Sequence, residues 1–97
     1  MFELVHQYST GLVDLHGRHY VARSYGEEAG DGRWYGFLVF LPRDGGPPLA
    51  TERETTQPGR PQLEYWATGL EGTYLDGALT RALSRPSAAW VSEEGLY

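Results

Sequence analysis

Two short stretches of this sequence bring together side chains that could do chemistry. Asp14-x-His16-x-x-His19 sets a carboxylate and two imidazoles within six residues, beside Gly17. Such groups suit zinc or another divalent ion. A fourth ligand must come from His6 or a remote carboxylate, and histidines flanking a glycine turn are more often solvated loop residues. The densest polar cluster is Thr51-Glu52-Arg53-Glu54-Thr55-Thr56-Gln57. On a strand, Glu52 and Glu54 would share a face about 7 Å apart, a separation usable for acid–base chemistry or a metal, with Arg53 turned the other way. Thr55, Thr56 and Gln57 precede a helical pattern, where hydroxyls and free N–H groups can hold an anion. The same residues also suit a charged edge strand that resists aggregation, followed by side chains that satisfy the first N–H groups of the helix. No Gly-x-Ser-x-Gly, P-loop or dinucleotide fingerprint is present, so no catalytic residue is assigned and no cofactor is expected.

The stretch Arg33-Trp34-Tyr35-Gly36-Phe37-Leu38-Val39-Phe40-Leu41 is of another kind. With period two, Trp34, Gly36, Leu38 and Phe40 lie on one face and Tyr35, Phe37, Val39 and Leu41 on the other. A strand apolar on both faces must be covered twice. Arg33, Tyr35, Gly36, Phe37, Leu38 and Phe40 also follow the order basic, aromatic, small, aromatic, aliphatic, aromatic. In this order the stretch resembles the aromatic signature strand of the RNA-recognition motif, with Trp34 where that family has glycine. The resemblance implies that Tyr35 and Phe37 face outward to stack on bases while Leu38 and Phe40 pack on helices. It covers eight residues. The family also needs a helix between its first two strands, and here only the short 12–15 stretch lies there.

Bulk properties narrow the classes. The chain has 97 residues, a net charge of −5 and no cysteine. One domain over 1–97 is expected, without disulfides or thiolate metal sites. The negative charge argues against a general affinity for nucleic acid or anionic membranes. All eight basic residues are arginine, which together with abundant Ala and Gly fits a GC-rich bacterial coding bias. No apolar run reaches membrane-spanning length and MFELVHQ lacks a signal-peptide pattern, so a cytoplasmic protein is expected.

The positioning elements follow from periodicity. Residues 2–8 alternate as a strand with Phe2, Leu4, His6 and Tyr8 on one side. Residues 18–25 form a second strand, an acidic glycine-containing loop over 27–32 suits a hairpin, and 33–41 is the third. Arg43 to Pro48 is a turn, and 49–55 reads as a polar edge strand. From Leu63, apolar positions recur at Trp66, Ala67, Leu70, Tyr74, Ala78 and Ala82, predicting one helix over about 61–84 that starts at Pro61 and stops before Pro86. Gly69, Thr73 and Gly77 make a small-residue row that reads as a docking seam against the sheet or a second subunit; a kink or break near Gly69–Gly72 is the alternative. The tail, with Trp90, Leu96 and Tyr97, reads as a short strand or a cover over the core.

Together these patterns predict an α+β fold: a four- to five-stranded antiparallel β-meander with one long C-terminal helix packed on one face. The inner layer should hold Trp34, Leu38, Phe40, Trp66, Leu70, Tyr74 and Ala78; a small curled barrel capped by the helix is the runner-up. The expected function is a non-enzymatic interaction or adaptor module. It would be homodimeric, or bind another protein, through Tyr35, Phe37, Val39 and Leu41. The alternatives are a single-stranded RNA binder using Arg18, Arg33, Tyr35 and Phe37, and a small ligand-binding protein or enzyme using the 51–57 cluster.

Overall fold

A computed structural model describes residues 1–84. The strands are β1 (Glu3–Gln7), β2 (Leu12–Val13), β3 (His19–Glu28), β4 (Trp34–Pro42), β5 (Leu49–Ala50) and β6 (Thr55–Gln57), followed by helices α1 (Arg60–Thr68) and α2 (Gly72–Ser84). β3 and β4 form an antiparallel hairpin in continuous register from Tyr20↔Pro42 to Glu28↔Trp34. β1 and β2 both pair with the free edge of β3, while β5 and β6 both pair with that of β4, all antiparallel. The result is the expected antiparallel sheet with helices on one face.

The hairpin register decides which side chains meet. Tyr20, Ala22, Ser24 and Gly26 of β3 share the helix face with Gly36, Leu38 and Phe40 of β4, with the large residues at one end and the Gly26↔Gly36 pair at the other. That pair leaves room for Leu63 of α1, because a Cβ at Gly36 would stand 2.7 Å from Leu63 Cδ1, 2.9 Å from Thr55 Cγ2 and 3.2 Å from Trp66 Cζ3. At the wide end Tyr20, Ala22, Leu38 and Phe40 pack with Tyr8 and Leu12 against Leu75, Ala78, Leu79 and Ala82 of α2. The buried Tyr8 hydroxyl donates to the Ala67 carbonyl at 2.7 Å, tying the chain after β1 to the last turn of α1.

Five expectations need correction. The single helix is two. Thr68 Oγ1 donates back to the Glu64 and Tyr65 carbonyls, a bond that bends helices, and Gly69 and Gly72 are poor helix formers. The Gly69–Thr73–Gly77 row is no seam against the sheet. Gly69, Thr73 and Gly77 are exposed, and the close approach is made by the strand glycines instead. The inner layer is only partly as expected: Leu38, Phe40 and Ala78 are buried, whereas Trp34, Trp66 and Leu70 are half-buried and Tyr74 is exposed. β1 does not keep one alternation, because its register shifts between Leu4 and His6. This bulge moves Phe2 and Leu4 to the outer face while His6 and Tyr8 turn to the helices. The edge strand over 49–55 is also interrupted, with β5 ending at Ala50 and β6 beginning at Thr55. Pro86, Trp90, Leu96 and Tyr97 lie outside the described residues. Among the described residues no helix is long and apolar enough to cross a membrane.

Gly36→Ala is expected to cost about 1–3 kcal/mol through overpacking. Urea denaturation should show a lower midpoint with an unchanged slope. Gly11→Ala, where nothing lies within 4 Å of the new carbon, serves as control; equal midpoints for the two variants would refute the close approach.

Candidate functional site

The polar cluster is built by a break in the edge of the sheet. β5 ends at Ala50, and Thr51 takes both backbone groups of Leu38. Its N–H donates to the Leu38 carbonyl at 2.9 Å, and its buried Oγ1 accepts the Leu38 N–H at 3.0 Å. The ladder resumes where the Glu54 N–H donates to the Gly36 carbonyl at 2.8 Å. Between these points the chain leaves the sheet, so Glu52 and Glu54 do not share a strand face. Glu52 is exposed in the loop. The Arg53 guanidinium lies 4.3 Å over the Tyr35 ring on the side away from the helices.

Glu54 is drawn into a cluster that the sequence reading missed. Tyr74 and Arg81 lie seven residues apart on α2, about two turns, and so project from one side of it. The Tyr74 hydroxyl and Arg81 Nη2 both donate to Glu54 Oε1, the latter at 2.6 Å. The Glu54 side chain is only 9% exposed, against 54% for Arg81, and the Arg81 guanidinium also stands 5.7 Å from the Tyr74 ring centroid. Burial, reinforced by the Glu54 carboxylate, pushes the Tyr74 phenol up to about 12. The bond to Glu54 likewise raises Arg81. Thr51, Glu52, Arg53, Glu54 and Arg81 line a cleft of about 330 Å³ beside this trio. A phenol this reluctant to ionise is a poor base at neutral pH, and Glu54 Oε1 already accepts two bonds. The arrangement is a clamp holding α2 to the sheet edge. Its spacing of seven, set against an acid in an edge loop, was the available signal.

The other candidates are dispersed. Thr55 Oγ1 accepts from Gln57 Nε2 at 2.7 Å, and Thr56 stands exposed opposite Tyr35. Gly59 caps α1 without a side-chain bond, so these residues do not surround its first N–H groups. Asp14 is committed to its own turn. Oδ1 accepts the His16 and Arg18 N–H groups and Oδ2 accepts the Tyr20 hydroxyl. These bonds, the Arg18 N–H above all, hold its carboxyl below the usual range. His16 and His19 are exposed. Among the described residues, no three His, Asp or Glu side chains converge as a metal site would require.

The sheet face opposite the helices carries the aromatic residues. Phe37 meets Phe2 edge-on at 5.1 Å and stacks on Tyr25 at 6.1 Å. Phe37 and Val39 are buried, rather than open as an exposed row of four would have them, while Tyr35 and Leu41 are half-buried. Arg23 joins this face, donating to Gln7 Oε1 at 2.7 Å and to the Tyr25 hydroxyl at 3.4 Å. Arg23 and Tyr25 were legible in principle, since they sit directly opposite Val39 and Phe37. Elsewhere, Val13, Leu15, Leu79 and Leu83 line a groove of about 520 Å³ that also contains Asp14 and Asp76. No protein-family model, curated protein or solved structure matches the chain.

The clamp has an alkaline signature. The folded chain keeps the Tyr74 proton to about 12, whereas an unstrained phenol releases it near 10.0. The clamp's stabilising effect is therefore present below that lower value and lost as pH rises between the two. Absorbance titration should show one tyrosine ionising at about 12. Glu54→Gln should bring it down part of the way, with burial retaining the rest; an unchanged titration curve would exclude the contact.

Proposed function

We propose that this chain is a non-enzymatic interaction module that associates with a second copy of itself through the outer face of the sheet. The supporting observation is the company its arginines keep. Arg18, Arg33, Arg60 and Arg81 each have a carboxylate within 4 Å. Arg23 and Arg53 instead lie beside Tyr25 and Tyr35 on the face away from the helices. Tyrosine and arginine are the residues that interface centres favour. Half-buried Val21 and Leu41 add apolar area beside them. Glu27, opposite Tyr35 in the register, supplies an acid on the same face. In a two-fold pairing it lies within the patch that meets the partner's arginines. The net charge of −5 makes copies repel at long range, so association favours a face that carries unneutralised arginines.

The RNA-binding alternative has less support. Stacking on bases needs open ring faces, but Phe37 is buried beneath Phe2 and Tyr25 and Tyr35 already carries Arg53. For acid–base catalysis, Glu52 and Glu54 are too differently placed to act as a pair.

Sedimentation velocity at micromolar concentration is expected to reveal a reversible dimer. Tyr35→Asp and Leu41→Asp should each weaken it by about tenfold or more while leaving the far-ultraviolet circular dichroism unchanged. A monomer at every concentration would overturn the proposal.

A further inference from the structure

We propose an additional site, independent of self-association: the cleft at the break in the sheet edge binds a small zwitterion of the α-amino-acid class. Its lining is Thr51, Glu52, Arg53, Glu54 and Arg81, and its volume is about 330 Å³. That size lies at the lower end of the range for small-molecule sites and suits a ligand as small as an amino acid. Two arginines and two glutamates share the lining, so its formal charge sums to zero. A lone anion drawn to the arginines also meets two carboxylates, and a lone cation meets two guanidinium groups. A ligand that carries both charges, joined a few bonds apart, finds an opposite charge for each end. The like charges then count against its single-sign competitors.

The charged groups are held in place and still have hydrogen-bonding capacity. The Glu54 side chain is 9% exposed. Its bonds from the Tyr74 hydroxyl and Arg81 Nη2 both fall on Oε1, and a carboxylate accepts on both oxygens, so Oε2 adds an acceptor to the lining. Arg81 commits Nη2 to Glu54, and its planar fork carries further N–H groups for the ligand's carboxylate. The Arg53 guanidinium rests its face 4.3 Å over the Tyr35 ring, a contact that leaves its edge N–H groups for the same task. Exposed Glu52 supplies a carboxylate for the ammonium end. Thr51 is fixed through both of its bonds to Leu38, and the Glu54 N–H is fixed on the Gly36 carbonyl. Binding between these two anchors therefore orders little backbone.

Nitrogen-15 nuclear magnetic resonance of the full-length chain, read at the Thr51 and Glu54 amides and the Arg81 side-chain N–H, tests this with L-alanine as probe. L-alanine should shift these signals saturably, with a half-point of about 1–5 mM. Acetate and methylammonium carry its two charges on separate molecules. Alone or mixed, they should bind at least about tenfold more weakly, because only joined charges make the second contact intramolecular. Glu52→Gln and Arg53→Gln change exposed side chains outside the Glu54–Tyr74–Arg81 clamp, and circular dichroism confirms that each variant is folded. Each should weaken L-alanine at least about fivefold. Glu52→Gln should at the same time strengthen acetate, and Arg53→Gln should strengthen methylammonium. Acetate or methylammonium binding the unaltered chain as tightly as L-alanine would overturn the proposal. Absence of a saturable shift up to about 50 mM would overturn it too, as would an unchanged L-alanine affinity in both variants.

Discussion

A central strand that is apolar on both faces sets the terms for the rest of this molecule. Leu38 and Phe40 are buried on one side of β4, and Phe37 and Val39 on the other. Fully burying a large aliphatic or aromatic side chain contributes about 1.5–3 kcal/mol. Four of them together rival the roughly 5–15 kcal/mol of net stability that a domain retains. Exposing either side would therefore cost much of the margin, and each face has found its own solution. On the inner face, the paired Gly26 and Gly36 admit α1 closely at one end, while Tyr20, Leu38 and Phe40 meet α2 at the other. On the outer face, Phe2 and Tyr25 bring rings against Phe37. The bulge in β1 serves both, because it sends Phe2 outward and Tyr8 inward from one short strand.

Much of this was legible in period and spacing, and the failures have physical causes. The two faces of β4 read correctly because every second residue of a strand points the same way, and β3 follows from the hairpin. The helical stripe from Leu63 to Ala82 was also legible, since apolar spacing survives a change of axis. What spacing does not record is that Thr68 bonds backwards and that glycine on either side of Leu70 lets the chain turn there. Gly36 was legible as the inner-face residue that eases helix approach, whereas the glycines of the helix were read as a docking row and the matching role of Gly26 was not seen. The interruption at Thr51 was hidden because a threonine hydroxyl can take the place of a backbone acceptor without altering the polar pattern.

The candidate site was half legible for the same reason. Glu54 stood out as a polar residue in a polar stretch, but its partners come from twenty or more residues away on a helix whose register shifts after the break. Once Glu54, Tyr74 and Arg81 are brought together, they fasten α2 to the sheet edge. The outer face shows the converse. Tyr35 and Phe37 suggested stacking on bases, yet their ring faces are used by Phe2, Tyr25 and Arg53 of the same chain. What the outer face presents is half-buried Tyr25 and Tyr35 with Arg23 and Arg53 beside them, on a sheet backed by the two helices.

Both sides of β4 being dry is the claim on which this account stands, and methyl-resolved nuclear magnetic resonance with a water-soluble paramagnetic probe tests it directly in the full-length chain. The account predicts that the Val39 methyls are shielded from the probe as fully as those of Leu38, while the exposed methyls of Leu15 are strongly relaxed. Val39 relaxed to the same degree as Leu15 would contradict it.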